Sequence, residues 1–315
     1  MVLITGGFGY LGARIAKSLL NKGFKVRIAS SRLNPNVPDD LKFCDIVHID
    51  LKNTASTDKA CFGVESVIHL AALNSLECEK DPNLAEKINS VGTLNVLDSA
   101  KKNGVKFFLY FSTAHVYGSD LDGVIDENSP INLTNSYSSS HKLAEEFVLS
   151  FNALGRINTC VFRLTNVIGS PLNENTNCWM LIANDLCKKI AANQKPELYA
   201  NKLIVRDFIP ITDVINSTFY YLNHKDNKFG GEIINISSSK PKSLEYLCNL
   251  LVNRSAIILN KHVVIKYNNL IQEKTFKEYC ISNKKAISFG LTFKNQLLDE
   301  VDLMLMKYEK WFNKN

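Results

Sequence analysis

The first twelve residues constrain this chain more than any other stretch. "VLIT" (2–5) reads as a short apolar strand, "TGGFGYLG" (5–12) follows directly, and helix signals run from Tyr10 to Asn21. Gly6, Gly9 and Gly12 recur at every third position. Glycine lets the backbone turn tightly and approach a bound group closely. The helix behind it offers unpaired N–H groups and the positive end of a dipole. Strand, glycine turn and helix in that order make a cradle for the pyrophosphate of a dinucleotide. Such a motif alone is also compatible with a plain structural turn. The strand before it and the helix after it select the nucleotide reading.

The rest of the first half repeats the alternation. Strand signals fall at "KVRIAS" (25–30), "DIVHID" (45–50), "SVIHLAA" (66–72), "VKFFLYFS" (105–112) and "TCVFRLT" (159–165). Helical patterns lie between them, one long pattern running from about Leu84 to Asn103. Strands separated by helices predict an α/β fold, a Rossmann-type doubly wound parallel sheet with right-handed crossovers. After Ile168 the pattern loosens into a polar loop, a helix near 179–193, "RDFIPITDV" (206–214) and "EIINISS" (232–238). The expectation is a dinucleotide-binding domain of residues 1–167 and 208–237. A smaller, sequence-interleaved C-terminal substrate lobe takes 168–207 and 238–315.

Composition excludes several other classes. The formal net charge is +6 over 315 residues, without a basic block. That suits an anionic small ligand and argues against a nucleic-acid partner. Eight cysteines include no C-x-x-C pair and no zinc spacing, so reduced thiols in the cytoplasm and no metal are expected. No run approaches the roughly 20 apolar residues of a membrane span, and the start breaks into glycines too early for a signal peptide.

The end of the second strand commonly selects the cofactor. An acid there holds the ribose of NAD, and an arginine accommodates the 2′-phosphate of NADP. This chain reads "ASSR" (29–32), with Ser30 able to bond a ribose hydroxyl and Arg32 able to meet a phosphate or stack on adenine. Asp50, ending the third strand, is a candidate for the adenine amine or a loop cap. Local chemistry leaves NAD(H) and NADP(H) both open.

Six motifs in order then carry a resemblance: "TGGFGYLG", "VIHLAA" (67–72), "NSVGTLNVLDSA" (89–100), "FSTAHVYG" (111–118), "FRLTNVIGSP" (162–171) and "VRDFIPITDV" (205–214). The chain resembles the extended short-chain dehydrogenase/reductases, in the nucleotide-sugar epimerase/dehydratase branch of UDP-galactose 4-epimerase. The resemblance implies NAD(H) over NADP(H). It implies cofactor contacts from Gly6, Gly9, Tyr10, Leu11, Gly12, Ser30, Arg32, Asp50, Leu51, Leu70, Ala71, Ala72, Asn89, Tyr137 and His141. It implies substrate contacts from Asn74, Thr113, His115, Asn166, Asn177 and Arg206, with Arg206 suited to a pyrophosphate. Arg163 and Asp213 read as structural. Dehydratases of this branch follow the Thr with an Asp-Glu pair. Here Ala114 and His115 follow Thr113, so dehydration is not expected.

"NSYSSSHKLAEE" (135–146) holds the remaining question. Two registers compete, Tyr137 with His141 or Ser138 with Lys142. Matching to the family's N-P-Y-G-x-S-K-L-x-x-E aligns Tyr137, Ser140 and Glu145 and puts His141 at the lysine position. Helix geometry agrees, because residues four apart lie roughly 40° apart around the axis and residues five apart roughly 140°. Tyr137 is then the base, Thr113 its hydroxyl partner, and His141 the third catalytic residue. A protonated His141 would favour the phenolate. The implied activity is oxidation at C4 of a nucleotide-linked sugar, as 4-dehydrogenase or 4-epimerase, for bacterial surface-glycan precursors. A reductase on a smaller carbonyl compound and a non-catalytic regulator are the competitors. The resemblance also implies a homodimer through the helices near 84–103 and 137–153.

Overall fold

The computed structural model describes residues 1–225, 228–268 and 277–313. Seven strands form its large sheet: β1 Val2–Thr5, β2 Val26–Ser30, β3 Asp45–His48, β4 Ser66–His69, β5 Phe107–Thr113, β6 Asn158–Leu164 and β7 Glu232–Ile236. Their order is β7-β6-β5-β4-β1-β2-β3. Every pairing from β3 across to β6 is parallel, with Ile4 registered between Ile28 and Ile68. Central parallel strands are covered on both faces, and β1, β4 and β5 are accordingly buried at every position. The order reverses between β1 and β4. In doubly wound sheets the carboxyl ends of the strands at that point are where ligands bind.

The chain divides into two compact units. The first comprises Met1–Ser119, Glu127–Leu164 and Ser217–Asn235. Its core joins Leu3, Val67, Phe108 and Val161 of the sheet to residues of three helices, Ala60 and Cys61 of the helix Thr54–Cys61 among them. Counting those that bear on the argument, α1 is Tyr10–Asn21, α2 Thr54–Cys61, α3 Gly92–Lys102 and α4 Ser136–Ala153. Val96 and Leu97 enter the core from α3, and Ala144, Val148 and Phe151 from α4. The second unit comprises Asp120–Asp126, Thr165–Asn216 and Ile236–Asn315. Its core is built on the helices Ile182–Ala191, Leu244–Leu259 and Leu297–Phe312, through Leu186, Leu247, Leu251, Met304 and Tyr308. Short ladders accompany it: Asn166–Ile168 with Phe208–Pro210, Gly123–Ile125 with Tyr279–Ile281 and Glu197–Leu198 with Lys266–Tyr267, all parallel, and Val205–Arg206 with Lys242–Ser243, antiparallel.

The long helix expected from Leu84 to Asn103 is not continuous. A short turn, Pro82–Ala85, runs into a π-helical segment, Glu86–Val91, before α3 begins. The Thr93 hydroxyl takes the carbonyl of Asn89 at 2.6 Å. A local side-chain bond of that kind competes with the regular helical ladder. All eight cysteines are free thiols, seven of them buried. No described helix is long and apolar enough to cross a membrane. Among the described residues no cluster of His, Cys, Asp or Glu could hold a metal ion.

Candidate active site

The glycine turn closes on itself. Gly9 N donates to Gly6 O at 2.8 Å. Gly6 has φ +66°, and a Cβ there would stand 3.0 Å from Ala71 N. A Cβ on Gly12 would lie 2.3 Å from Gly6 O, a distance no side chain tolerates. Tyr10 and Leu11 open α1, and no side chain caps its N-terminus. The turn is therefore a cradle that any larger residue would fill, beside a helix end suited to an anion. It fits the pyrophosphate of a dinucleotide.

Thr5 fastens this turn to β4. Its Oγ1 accepts from Leu70 N and Ala71 N, each at 3.2 Å, so its proton goes to His69 Nδ1 at 2.7 Å. The opposite ring nitrogen, Nε2, then donates to Thr93 Oγ1 at 2.9 Å, and Thr93 donates to Asn89 O. Burial and the nearby His141 push the His69 pKa down to about 3, which keeps the ring neutral. The "VIHLAA" and "NSVGTLN" motifs thus meet in one hydrogen-bonded line. Asn89 is part of it: its Oδ1 accepts from Leu73 N at 2.7 Å, and its Nδ2 donates to Ser140 Oγ at 3.1 Å. Its buried amide ties the end of β4 to α4. Asn95 Nδ2 holds Leu51 O at 2.8 Å, and Leu51 packs against Gly92.

The remaining cofactor candidates occupy strand ends. Ser30 Oγ accepts from Arg32 N at 3.1 Å, and the Arg32 side chain is exposed. Asp50 Oδ1 accepts from Lys52 N at 3.0 Å, the geometry of a loop cap. Ala72 is exposed after β4. Asn74 caps the helix Ser75–Lys80 in a reciprocal pair with Glu77, which accounts for its carbonyl oxygen.

The serine-rich start of α4 is explained by its bonds. Asn135 caps the helix through Oδ1 to Ser138 N at 2.9 Å. Ser138 and Ser139 both donate to Asn135 O, and Ser140 donates to Tyr137 O. Ser90 donates to Ser140 O at 2.8 Å, so small residues let the π-helical segment approach closely. This places Tyr137 next to the end of β5, near Thr113. Thr113 Oγ1 also accepts from His115 N at 3.1 Å. Tyr137 is half-buried; the surrounding protein pushes its pKa up to about 12, and Thr113 pulls the other way. The exposed His115 meets the Tyr137 ring edge-on at 6.0 Å.

His141 lies one turn beyond Tyr137, with ring centroids 4.5 Å apart. The two residues share a face, as the register with Tyr137 required. A protonated His141 would favour the phenolate, and burial of the ring disfavours that form. Burial pushes its pKa down to about 4; Glu145 opposes the shift and His115 adds to it. Its Nδ1 meets the Tyr110 hydroxyl at 2.7 Å, and its Nε2 is buried with no hydrogen-bond partner among the described residues. Tyr110 was not foreseen, since it lies inside a strand that otherwise reads as core.

Lys142 faces away. It pairs with Glu146 and lies 3.5 Å from Glu145. Glu145 itself is buried, accepting from Ser112 Oγ at 2.6 Å and from Arg163 at 2.9 and 2.7 Å. Arg163 also donates to Tyr117 OH, which donates to Asn235. The structural role expected of Arg163 is to hold α4 against β5 and β6.

The other substrate candidates belong to the second unit. Asn166 Nδ2 donates to Asp207 O at 3.1 Å. Arg206 donates to Val205 O and sits beside Tyr279. Asn177 is exposed in the loop before Trp179. Asp213 anchors a loop, accepting from Lys294 N and Asn295 N.

Residues 2–237 match the model of the NAD dependent epimerase/dehydratase family. A putative UDP-glucose 4-epimerase of Methanocaldococcus jannaschii is 28% identical over 254 residues, covering 80% of this chain and 81% of that protein. UDP-arabinose 4-epimerase 1 of Arabidopsis thaliana is 27% identical, covering 78% and 64%. The crystal structure of UDP-glucose 4-epimerase from Thermotoga maritima with UDP-glucose superposes with a TM-score of 0.85 at 20% identity, covering 99% of each chain. That from Thermus thermophilus, in complex with NAD, gives 0.81 at 21% identity over 98% of each.

Proposed function

Since the chain belongs to the NAD-dependent epimerase/dehydratase family, we propose that it is a 4-epimerase of a UDP-linked sugar. One observation carries the reading: Tyr137 and Thr113 bring a phenol and a threonine hydroxyl together where α4 meets the end of β5, close enough for Thr113 to pull the phenol's pKa down. A hydroxyl pair of that kind can engage one oxygen of a secondary alcohol together.

The glycine turn of Gly6, Gly9 and Gly12 would hold the pyrophosphate of NAD, and Ser30 and Asp50 its adenosine half. NAD, when bound, supplies the hydride acceptor at the sugar C4. The chain's own work is the proton. Tyr137 Oη takes it from the C4 hydroxyl as the ketone forms and returns it when the ketone is reduced from its other face. Thr113 Oγ1 holds the same oxygen through both steps. Withdrawing a proton with a phenol whose pKa is near 12 needs stabilisation of the phenolate. The Thr113 hydroxyl is one source within the chain. Arg206, a forked permanent cation in the second unit, is assigned to the substrate's diphosphate. Asn166 and Asn177 are assigned to the substrate on the resemblance alone. The wider setting proposed is a cytoplasmic homodimer supplying sugars for surface glycans; light scattering on the purified protein tests the dimer.

The test of the activity is direct. Purified protein is incubated with UDP-glucose, UDP-galactose and their N-acetyl counterparts, and the products are separated by ion-exchange chromatography. Interconversion of a C4 pair without net NADH is the expected result. Stoichiometric NADH with accumulation of a keto-sugar would instead make it a dehydrogenase.

A further inference from the structure

His141 and Tyr110 form a buried pair whose protons can be assigned by counting. Tyr110 is 2% exposed and His141 3%. The Tyr110 hydroxyl has one hydrogen-bond partner among the described residues, His141 Nδ1 at 2.7 Å. Suppose that Nδ1 carried the proton and Tyr110 accepted. The tyrosine's own proton would then have no acceptor, and neither would the lone pair on His141 Nε2. Suppose instead that Tyr110 donates. Then Nδ1 is satisfied and the proton of the imidazole sits on Nε2. A buried donor without an acceptor is costly, so each unmet donor counts. The first arrangement leaves a hydroxyl donor and a ring lone pair unmet. The second leaves one N–H, on the residue whose ring is 4.5 Å from that of Tyr137.

We propose that Tyr110 is a positioning residue: its hydroxyl donates to His141 Nδ1 and fixes the imidazole as a neutral Nε2–H donor, which the ribose of the bound dinucleotide accepts. Neutral imidazole has one donor and one acceptor nitrogen, and only the second bond, to the protein, decides which is which. Tyr110 makes that decision from β5, 31 residues away in sequence. Its ring is also stacked between two imidazoles, with centroids 5.9 Å from His69 and 6.0 Å from His141. His69 is fixed in its own form by Thr5 and Thr93, so Tyr110 cannot turn to it for a partner. The choice of the ribose as acceptor rests on the proposed NAD-dependent reading; the assignment of the proton does not.

Two measurements separate these parts. The first is nitrogen NMR of histidine-labelled protein without added nucleotide, the His141 signals being identified by their loss in His141→Asn. The expected spectrum has a protonated Nε2 and an unprotonated Nδ1 at neutral pH. A protonated Nδ1 would overturn the proposal whatever the enzyme does. This measurement needs only the wild-type chain, so a poorly folding variant does not block it. The second compares wild type with Tyr110→Phe, which keeps the stacked ring and removes the hydroxyl. The variant should show a mixture of the two imidazole forms, and NAD affinity by calorimetry should fall by roughly 3- to 10-fold, the worth of one hydrogen bond. An unchanged imidazole form, or unchanged NAD affinity with the form altered, would refute Tyr110 or the ribose respectively. Wild-type protein that shows the protonated Nε2 but binds no NAD would leave the pair standing and sink the functional reading.

Discussion

At the scale of single residues, spacing put Tyr137 and His141 on one helix face and burial set the state of their side chains. Tyr137 and His141 were legible because four residues make roughly one helical turn. Lys142 faces the other way, as the same geometry requires, and it is taken up by Glu146. What the sequence did not carry was charge. A histidine standing where the resemblance expects a lysine suggests a cation, but the environment of His141 is assembled from β5 and α4 together and pushes its pKa down to about 4. Tyr110 was invisible for the same reason, its partner being distant in the chain. The pH dependence follows. With the phenol near 12 and the imidazole near 4, neither group titrates between pH 5 and 9. The turnover rate should therefore rise with pH across that range as the phenolate fraction grows, with no break at the ordinary histidine value near 6.5. Tyr137→Phe should lower it by at least ~10²-fold, the usual worth of a general base. A profile of kcat against pH with a plateau above pH 7 would contradict the phenol near 12, and a break near pH 6.5 the neutral imidazole.

At the scale of elements, the strands of the large sheet were read to within about three residues and the long helix was not. Val2–Thr5 and Tyr10–Asn21 match their signals, because a buried parallel strand and a glycine-headed helix are both written in local residue types. The π-helical segment Glu86–Val91 also bonds to Leu73, beyond β4, and to Ser140 of α4, contacts that no local pattern displays. Two substitutions measure how such elements are held. Gly12→Ala puts a methyl group 2.3 Å from Gly6 O, so the turn must open, and NAD binding by calorimetry should be lost. Glu145→Ala removes both oxygens that hold Arg163 and leaves a buried cation unpaired, which costs about 3–5 kcal/mol. Lys142→Ala breaks an exposed pair with Glu146 and leaves the buried Glu145 still paired with Arg163, so it should cost less than about 1 kcal/mol, with kcat unchanged within about 2-fold. Urea unfolding of the two variants gives the comparison. Equal losses would mean that the buried pair does not anchor α4.

At the scale of the molecule, the same pair of buried imidazoles ties stability to pH. In the unfolded chain His69 and His141 titrate near the ordinary value of 6.5, whereas in the folded chain burial holds them near 3 and 4. Between pH 6.5 and 4 the unfolded chain binds more protons than the folded one, so stability rises with pH there and is lost as pH falls. Above pH 7 both rings are neutral in both states and contribute no slope. Moving from pH 7 to pH 5 should cost roughly 2 kcal/mol for each ring, the work of keeping it neutral where water would charge it. The first unit, which holds both rings, should therefore lose stability in mild acid. The measurement is urea unfolding at pH 7 and pH 5, for wild type and for His141→Asn, which cannot titrate. The wild type should lose more than the variant by about one ring's share. If the two lose the same amount, His141 is exchanging protons with water in the folded state, and the buried, neutral imidazole assigned to it is wrong.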